Sequence, residues 1–219
     1  MRLVRAIDEK SACRYPVGLG HLMTGPVDMM MELRGQEKLA LDMYDHPAEV
    51  ADLGERCVEL CTEVTNALFE MQRPYLGGYA GTLRWFWAPG KMVETAEDLS
   101  FMTSPAMHRR FVVPLHRAMS QRFPYTIVHL HSAQLHTVPA LLEIEEVAAI
   151  EITPDYGQDL LPYLPLMGQI LERKPLILHG IIPVPALKEM MRALPARGLA
   201  LFSRCDSPAE AATMLDALM

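Results

Sequence analysis

The feature that most restricts how this chain can fold is the rhythm of its second half. From Tyr125 onward, short apolar runs alternate with longer segments of 3.6-residue periodicity. A strand over Tyr125–His131 is followed by a helix over Thr137–Glu143, and a strand over Ala148–Thr153 by a helix over Asp159–Glu172. Pro175–His179 leads in the same way to Pro185–Leu194, and Gly198–Ser203 to Ser207–Leu218. Such alternation calls for a parallel sheet with right-handed crossovers. The strands are short and apolar, as expected when helices cover both faces.

The first half is more helical. Val27–Leu33 and Gln36–Asp45 read as helices, the second stopped by His46-Pro47. Pro47 opens a long helix to about Met71, with Val50, Leu53, Cys57, Leu60, Cys61, Val64 and Leu68 on one face. Asp98 reads as the N-cap of a short helix, and Ser104-Pro105 opens another that runs to about Phe123. Counting the run Tyr15–Gly20 and the aromatic strand Thr82–Trp87, the chain offers about six βα units in one α/β domain, 1–219. Gly18-Leu-Gly20 lacks the third glycine of a dinucleotide-binding turn.

Composition narrows the function classes. Lys and Arg number 20 against 27 Asp and Glu, a net charge of −7 with no basic block, which argues against nucleic acid or an anionic membrane as partner. Residues 1–14 hold six charged side chains and no apolar core of a signal peptide, and no stretch approaches about 18 uncharged apolar residues. Four cysteines are too few for a disulfide framework, so a cytoplasmic protein is expected. The 16 methionines read as adaptable core filler.

In parallel α/β folds, chemistry collects where the strands end. Those positions hold His129-Leu-His131, Thr153-Pro-Asp155, His179-Gly180 and Ser203-Arg-Cys205, with Trp87 closing the aromatic strand and His21 following the first run. His129 and His131, two apart on a strand, point to one face. Two imidazoles there suit a transition metal, usually zinc, with Cys205 or His179 as a third ligand. The alternative is one hydrogen-bonded core histidine and one at the rim. Asp155 and His179 are the catalytic candidates, against a turn aspartate and a residue positioned by Gly180. Tyr79, Trp87 and His21 are the substrate-contact candidates, against plain packing for the aromatic cluster.

Several segments carry a family resemblance. Gly25-Pro-Val-Asp-Met-Met-Met-Glu-Leu-Arg-Gly-Gln-Glu37 with Asp45-His-Pro-Ala-Glu49, the stretch Glu97–Pro114, and His129-Leu-His-Ser-Ala-Gln-Leu-His-Thr-Val-Pro-Ala-Leu-Leu-Glu-Ile144 resemble the uroporphyrinogen decarboxylase superfamily. The resemblance runs from about Tyr15 to the C-terminus. It implies a TIM-type (β/α) barrel, here partial, because 219 residues fall short of the about 250 of a full one. About two βα units are then absent before Tyr15, and the strand edges this exposes imply a homodimer.

The resemblance also implies chemistry. One branch of that superfamily moves methyl groups between corrinoid proteins, thiols and small donors, and uses an H-x-C pair with a later Cys to bind zinc. By position His129 matches the His, His131 replaces the first Cys, Ser132 replaces a glycine, and Cys205 falls near the later Cys. The expectation is therefore a metal-assisted methyltransferase acting on a thiol or corrinoid, with zinc held by His129, His131 and Cys205. A small-molecule substrate and a corrinoid protein are the expected partners. The alternatives are a tetrapyrrole decarboxylase, whose N-terminal substrate-binding residues find no match here, and a non-catalytic binding protein on a degenerate barrel.

Overall fold

A computed structural model of the chain describes residues 2–18, 25–81 and 86–218. Among the described residues, four helices precede the main sheet: α1 (Arg2–Ser11), α2 (Pro26–Arg34), α3 (Gln36–Asp45) and α4 (Pro47–Phe69). Pro26 and Pro47 stand in the first turns of their helices, where the missing N–H has no intrahelical partner to lose. The buried face of α4 is Val50, Gly54, Cys57, Val58, Cys61, Thr65 and Phe69. Leu60 and Val64, expected on that face, are exposed. The buried seam is narrower than the apolar pattern suggests, although α4 packs against both α2 and α3.

A two-stranded antiparallel hairpin follows, β1 (Tyr79–Ala80) with β2 (Trp87–Ala88). The aromatic strand expected over Thr82–Trp87 is thus corrected in part: residues 82–85 lie outside the described residues, and Trp87 pairs antiparallel with Ala80. In the run expected to form a first strand, residues 16–18 have no regular structure, and the rest lies outside the described residues. The parallel sheet opens instead with β3 (Met92–Ala96), a segment that sequence reading passed over.

Beyond β3 come α5 (Pro105–Met107), a π-helical turn His108–Val112, α6 (Val113–Arg122), β4 (Tyr125–His131), α7 (Val138–Leu141), β5 (Val147–Thr153), α8 (Leu164–Leu171), β6 (Leu176–Gly180), α9 (Val184–Ala193), β7 (Leu199–Ser203) and α10 (Pro208–Leu218). The strand order is β3-β4-β5-β6-β7, parallel throughout, so the described residues supply five parallel strands rather than six. Ser104 caps α5 as expected, its hydroxyl accepting the Met107 N–H at 3.3 Å. At Gly54 an added Cβ would lie 2.9 Å from Leu115 Cδ2, so the glycine lets α4 and α6 approach.

The two faces of the sheet differ. Val128, Leu130, Ile150, Ile152, Leu176 and Leu178 point outward into the largest apolar cluster, beneath α7, α8 and α9. The alternate residues Met92, Ile127, Ala149 and Ile177 form a smaller apolar floor on the inner face. Above that floor the inner face turns polar. No helix among the described residues is long and apolar enough to cross a membrane.

Where β3 ends, the chain makes a fully buried ionic junction. Glu97 Oε2 accepts from His116 Nε2 at 2.7 Å and from His108 Nε2 at 3.0 Å. His116 Nδ1 sits 3.1 Å from Thr95 Oγ1, and Asp28 on α2 accepts the Asp98 N–H at 2.7 Å. Burial works to raise the Glu97 pKa, but the two imidazoles outweigh it and hold the carboxyl at about 2. Its unperturbed value is 4.5, so the folded state favours the ionised form, and the stabilisation is present above about pH 4.5 and is lost as pH falls toward 2. Glu97→Gln should cost about 3–5 kcal/mol at neutral pH, measured by urea unfolding. The variant should also lack the wild-type loss of stability across that acid window.

Candidate metal centre

The polar belt of the inner face is built strand by strand from alternate positions. Glu94 comes from β3, His129 and His131 from β4, Glu151 and Thr153 from β5, and His179 from β6. His129 stands beside Glu151 in the β4–β5 register, and His131 beside Thr153. The strand period of two puts all of these on one face, and the outward apolar residues between them hold the register.

Glu151, with a fully buried side chain, is the centre of the row. Its Oε1 lies 3.4 Å from His129 Nδ1 and 3.3 Å from His179 Nδ1. The other nitrogen of His129 is 3.3 Å from His131 Nε2, so this ring joins the buried carboxylates to the mouth of the sheet. The side chains of His129 and His179 are each only 11% exposed, whereas that of His131 is 36% exposed. Ligand atoms of Glu94, His129 and Glu151 all lie within 4.8 Å of one another, and this group can hold a metal ion. Two carboxylates and one imidazole buried together are what a divalent cation neutralises.

Around the row, hydrogen bonds fix the β4 end. Asp155 Oδ2 accepts from the Ser132 hydroxyl at 2.7 Å and the Ala133 N–H at 3.0 Å, and Oδ1 lies 3.0 Å from His131 Nδ1. Partial burial pushes the Asp155 pKa up, yet these donors and the His131 ring together bring it below the usual carboxylate value. Gln134, itself buried, accepts the His131 N–H at 2.5 Å and donates to the Glu97 carbonyl at 2.6 Å. This amide links the site to the ionic junction of β3. Gly180, at φ +151°, has Pro154 so close that an added Cβ would lie 2.9 Å from its Cδ, which packs the β5 and β6 ends together.

The sequence-derived candidates divide accordingly. His129 belongs to the metal-competent group, and Asp155, His131 and His179 surround it. Cys205 lies half-buried in the loop after β7, outside that group, and the thiol is free. Tyr79 packs edge-on against Phe69 of α4, ring centroids 5.3 Å apart, and Trp87 donates from its indole to the Tyr75 carbonyl at 2.7 Å. Both aromatic contacts serve the hairpin region. His21 lies outside the described residues.

Sequence reading missed Glu94 and Glu151. The available signal was a single acid inside each apolar run, Val93-Glu94-Thr95 and Ile150-Glu151-Ile152, an arrangement that buries a charge unless something pairs with it. No family model, curated protein or solved structure matches this chain.

Gln134→Leu keeps the side-chain volume but strands the His131 N–H and the Glu97 carbonyl. The expected loss is about 2–4 kcal/mol, read by thermal or urea unfolding, with far-UV circular dichroism unchanged before the transition.

Proposed function

We propose that this protein is a metal-dependent enzyme on a partial (β/α) barrel that transfers a methyl group to or from a thiol or corrinoid. The observation behind this reading is the group Glu94, His129 and Glu151 on the inner face of a parallel sheet. Two further supports are the resemblance of the His129–Ile144 segment to the uroporphyrinogen decarboxylase superfamily and the clustering of polar groups at the strand ends.

The proposal revises the ligand set. Glu94, His129 and Glu151 hold the ion, zinc being the preferred occupant, because this donor set leaves a coordination position for substrate. When bound, zinc supplies the positive charge that keeps a substrate thiol in its nucleophilic thiolate form. His179 supports Glu151 from the β6 side, 3.3 Å away. Asp155, fixed by Ser132 and Ala133, holds the His131 ring at the open side of the group, and Gln134 anchors the backbone beneath that ring. In methyl transfer the sulfur lone pair forms the new S–C bond, and the donor departs with the electron pair of the bond that breaks.

Elemental analysis of the purified chain tests the centre. About one divalent metal per chain is expected, with strong loss in His129→Ala and Glu151→Gln. His179→Ala should weaken binding about 10–100-fold, as removal of a supporting partner does. Stoichiometric protein without metal, even after incubation with zinc, would refute it. Incubating the zinc-loaded chain with methylcobalamin and a small thiol tests the reaction: loss of the methylcobalamin absorption is expected, and a metal-bound protein with no such loss rejects methyl transfer to thiols.

A further inference from the structure

A cavity of about 510 Å³ opens beside the metal centre, between the loops that follow β5, β6 and β7. It shares none of the three residues Glu94, His129 and Glu151. Its walls are largely apolar: Pro154, Ile182, Ala186 and Met190 line it, and Ile182 and Met190 are buried in the outer core, so the floor is fixed by packing. The volume falls within the range of small-molecule sites, about 300–1,000 Å³. Tyr156 stands fully exposed at the rim, carried by a turn in which the Gln158 N–H bonds to the Asp155 carbonyl at 3.0 Å and Gly157 takes φ +76°.

Three charged residues, Asp155, Asp159 and Arg204, line this cavity, and the two acids are held by hydrogen bonds. Asp155 serves Ser132, Ala133 and His131, and Asp159 accepts the Leu161 N–H at 2.9 Å. The third is Arg204. Its backbone N–H bonds to the Gly180 carbonyl at 2.9 Å, which ties the residue to the end of β6. Among the described residues, no carboxylate pairs with its guanidinium. A largely apolar chamber whose one cationic residue has no carboxylate partner among the described residues favours a ligand with an apolar body and a single anionic head, because a guanidinium binds carboxylate or phosphate through two parallel hydrogen bonds.

We propose that this cavity is a binding site for a small amphiphilic anion, its apolar part against Pro154, Ile182, Ala186 and Met190 and its head on Arg204. Neither a metal nor the proposed methyl transfer is needed for it. The cavity nonetheless adjoins the metal centre through Asp155, which lines one and orients His131 in the other.

Titration calorimetry of the full chain with octanoate, octyl phosphate, octylamine and inorganic phosphate, each with and without a metal chelator, tests the proposal. Saturable octanoate binding is expected, about ten-fold or more tighter than that of octylamine and unchanged by the chelator. Arg204→Gln, a surface substitution that leaves the core intact, should weaken it about ten-fold. Ala186→Trp, which fills the chamber, should abolish it. Tighter binding of octyl phosphate supports the same site and assigns phosphate as the head group. The proposal is overturned if no probe saturates, if octylamine equals octanoate, if inorganic phosphate alone binds as tightly, or if Arg204→Gln leaves binding unchanged.

Discussion

The buried carboxylate of Glu97 is the constraint on which much of this molecule rests. A carboxylate removed from water is tolerable only when donors surround it, and here they come from two separate places, the π-helical turn through His108 and α6 through His116. Satisfying one charge therefore fixes how the helices after β3 return over the sheet. The backbone carbonyl of the same residue takes the Gln134 amide, and the other end of that amide holds the His131 N–H. A packing problem at the end of β3 is thereby connected, through a single side chain, to the position of the histidine pair on β4.

The inner face shows the opposite balance. Its lower layer, Met92, Ile127, Ala149 and Ile177, is ordinary apolar packing. The layer above brings Glu94, His129, Glu151 and His179 together across four adjacent strands, where apolar residues would stabilise the sheet with less desolvation. Strands held firmly on the outer face by Val128, Leu130, Ile150, Ile152, Leu176 and Leu178 can carry such a layer without losing register. The outer core thus provides the rigidity, and the inner face uses it to concentrate charge.

How much was legible in the sequence depended on whether a segment's structure is set by its own pattern. Strand Tyr125–His131 was read with its observed ends and β5 to within one residue, because apolar runs between turn residues leave little choice. The helix Gln36–Asp45 was equally plain. β3 escaped notice because Met92-Val-Glu-Thr-Ala96 has the charge and hydroxyl of an exposed segment, yet all five residues are buried. Leu60 and Val64 misled in the other direction: their spacing fits the apolar stripe of α4, while the contact made by that helix is narrower.

The sequence by itself determined that this chain forms strands and helices in alternation, that the sheet is parallel, and that histidines and an aspartate gather at one end of it. Those are consequences of periodicity, turn chemistry and the handedness of crossovers, all local. Only the tertiary structure decided which acids stand beside His129, that Cys205 lies apart from it, and that Arg204 shares a cavity with Asp155 and Asp159. These facts depend on strand register and on neighbours far apart in the chain. No periodicity encodes such pairings, because the energy that selects them arises only when desolvated charges meet across the sheet.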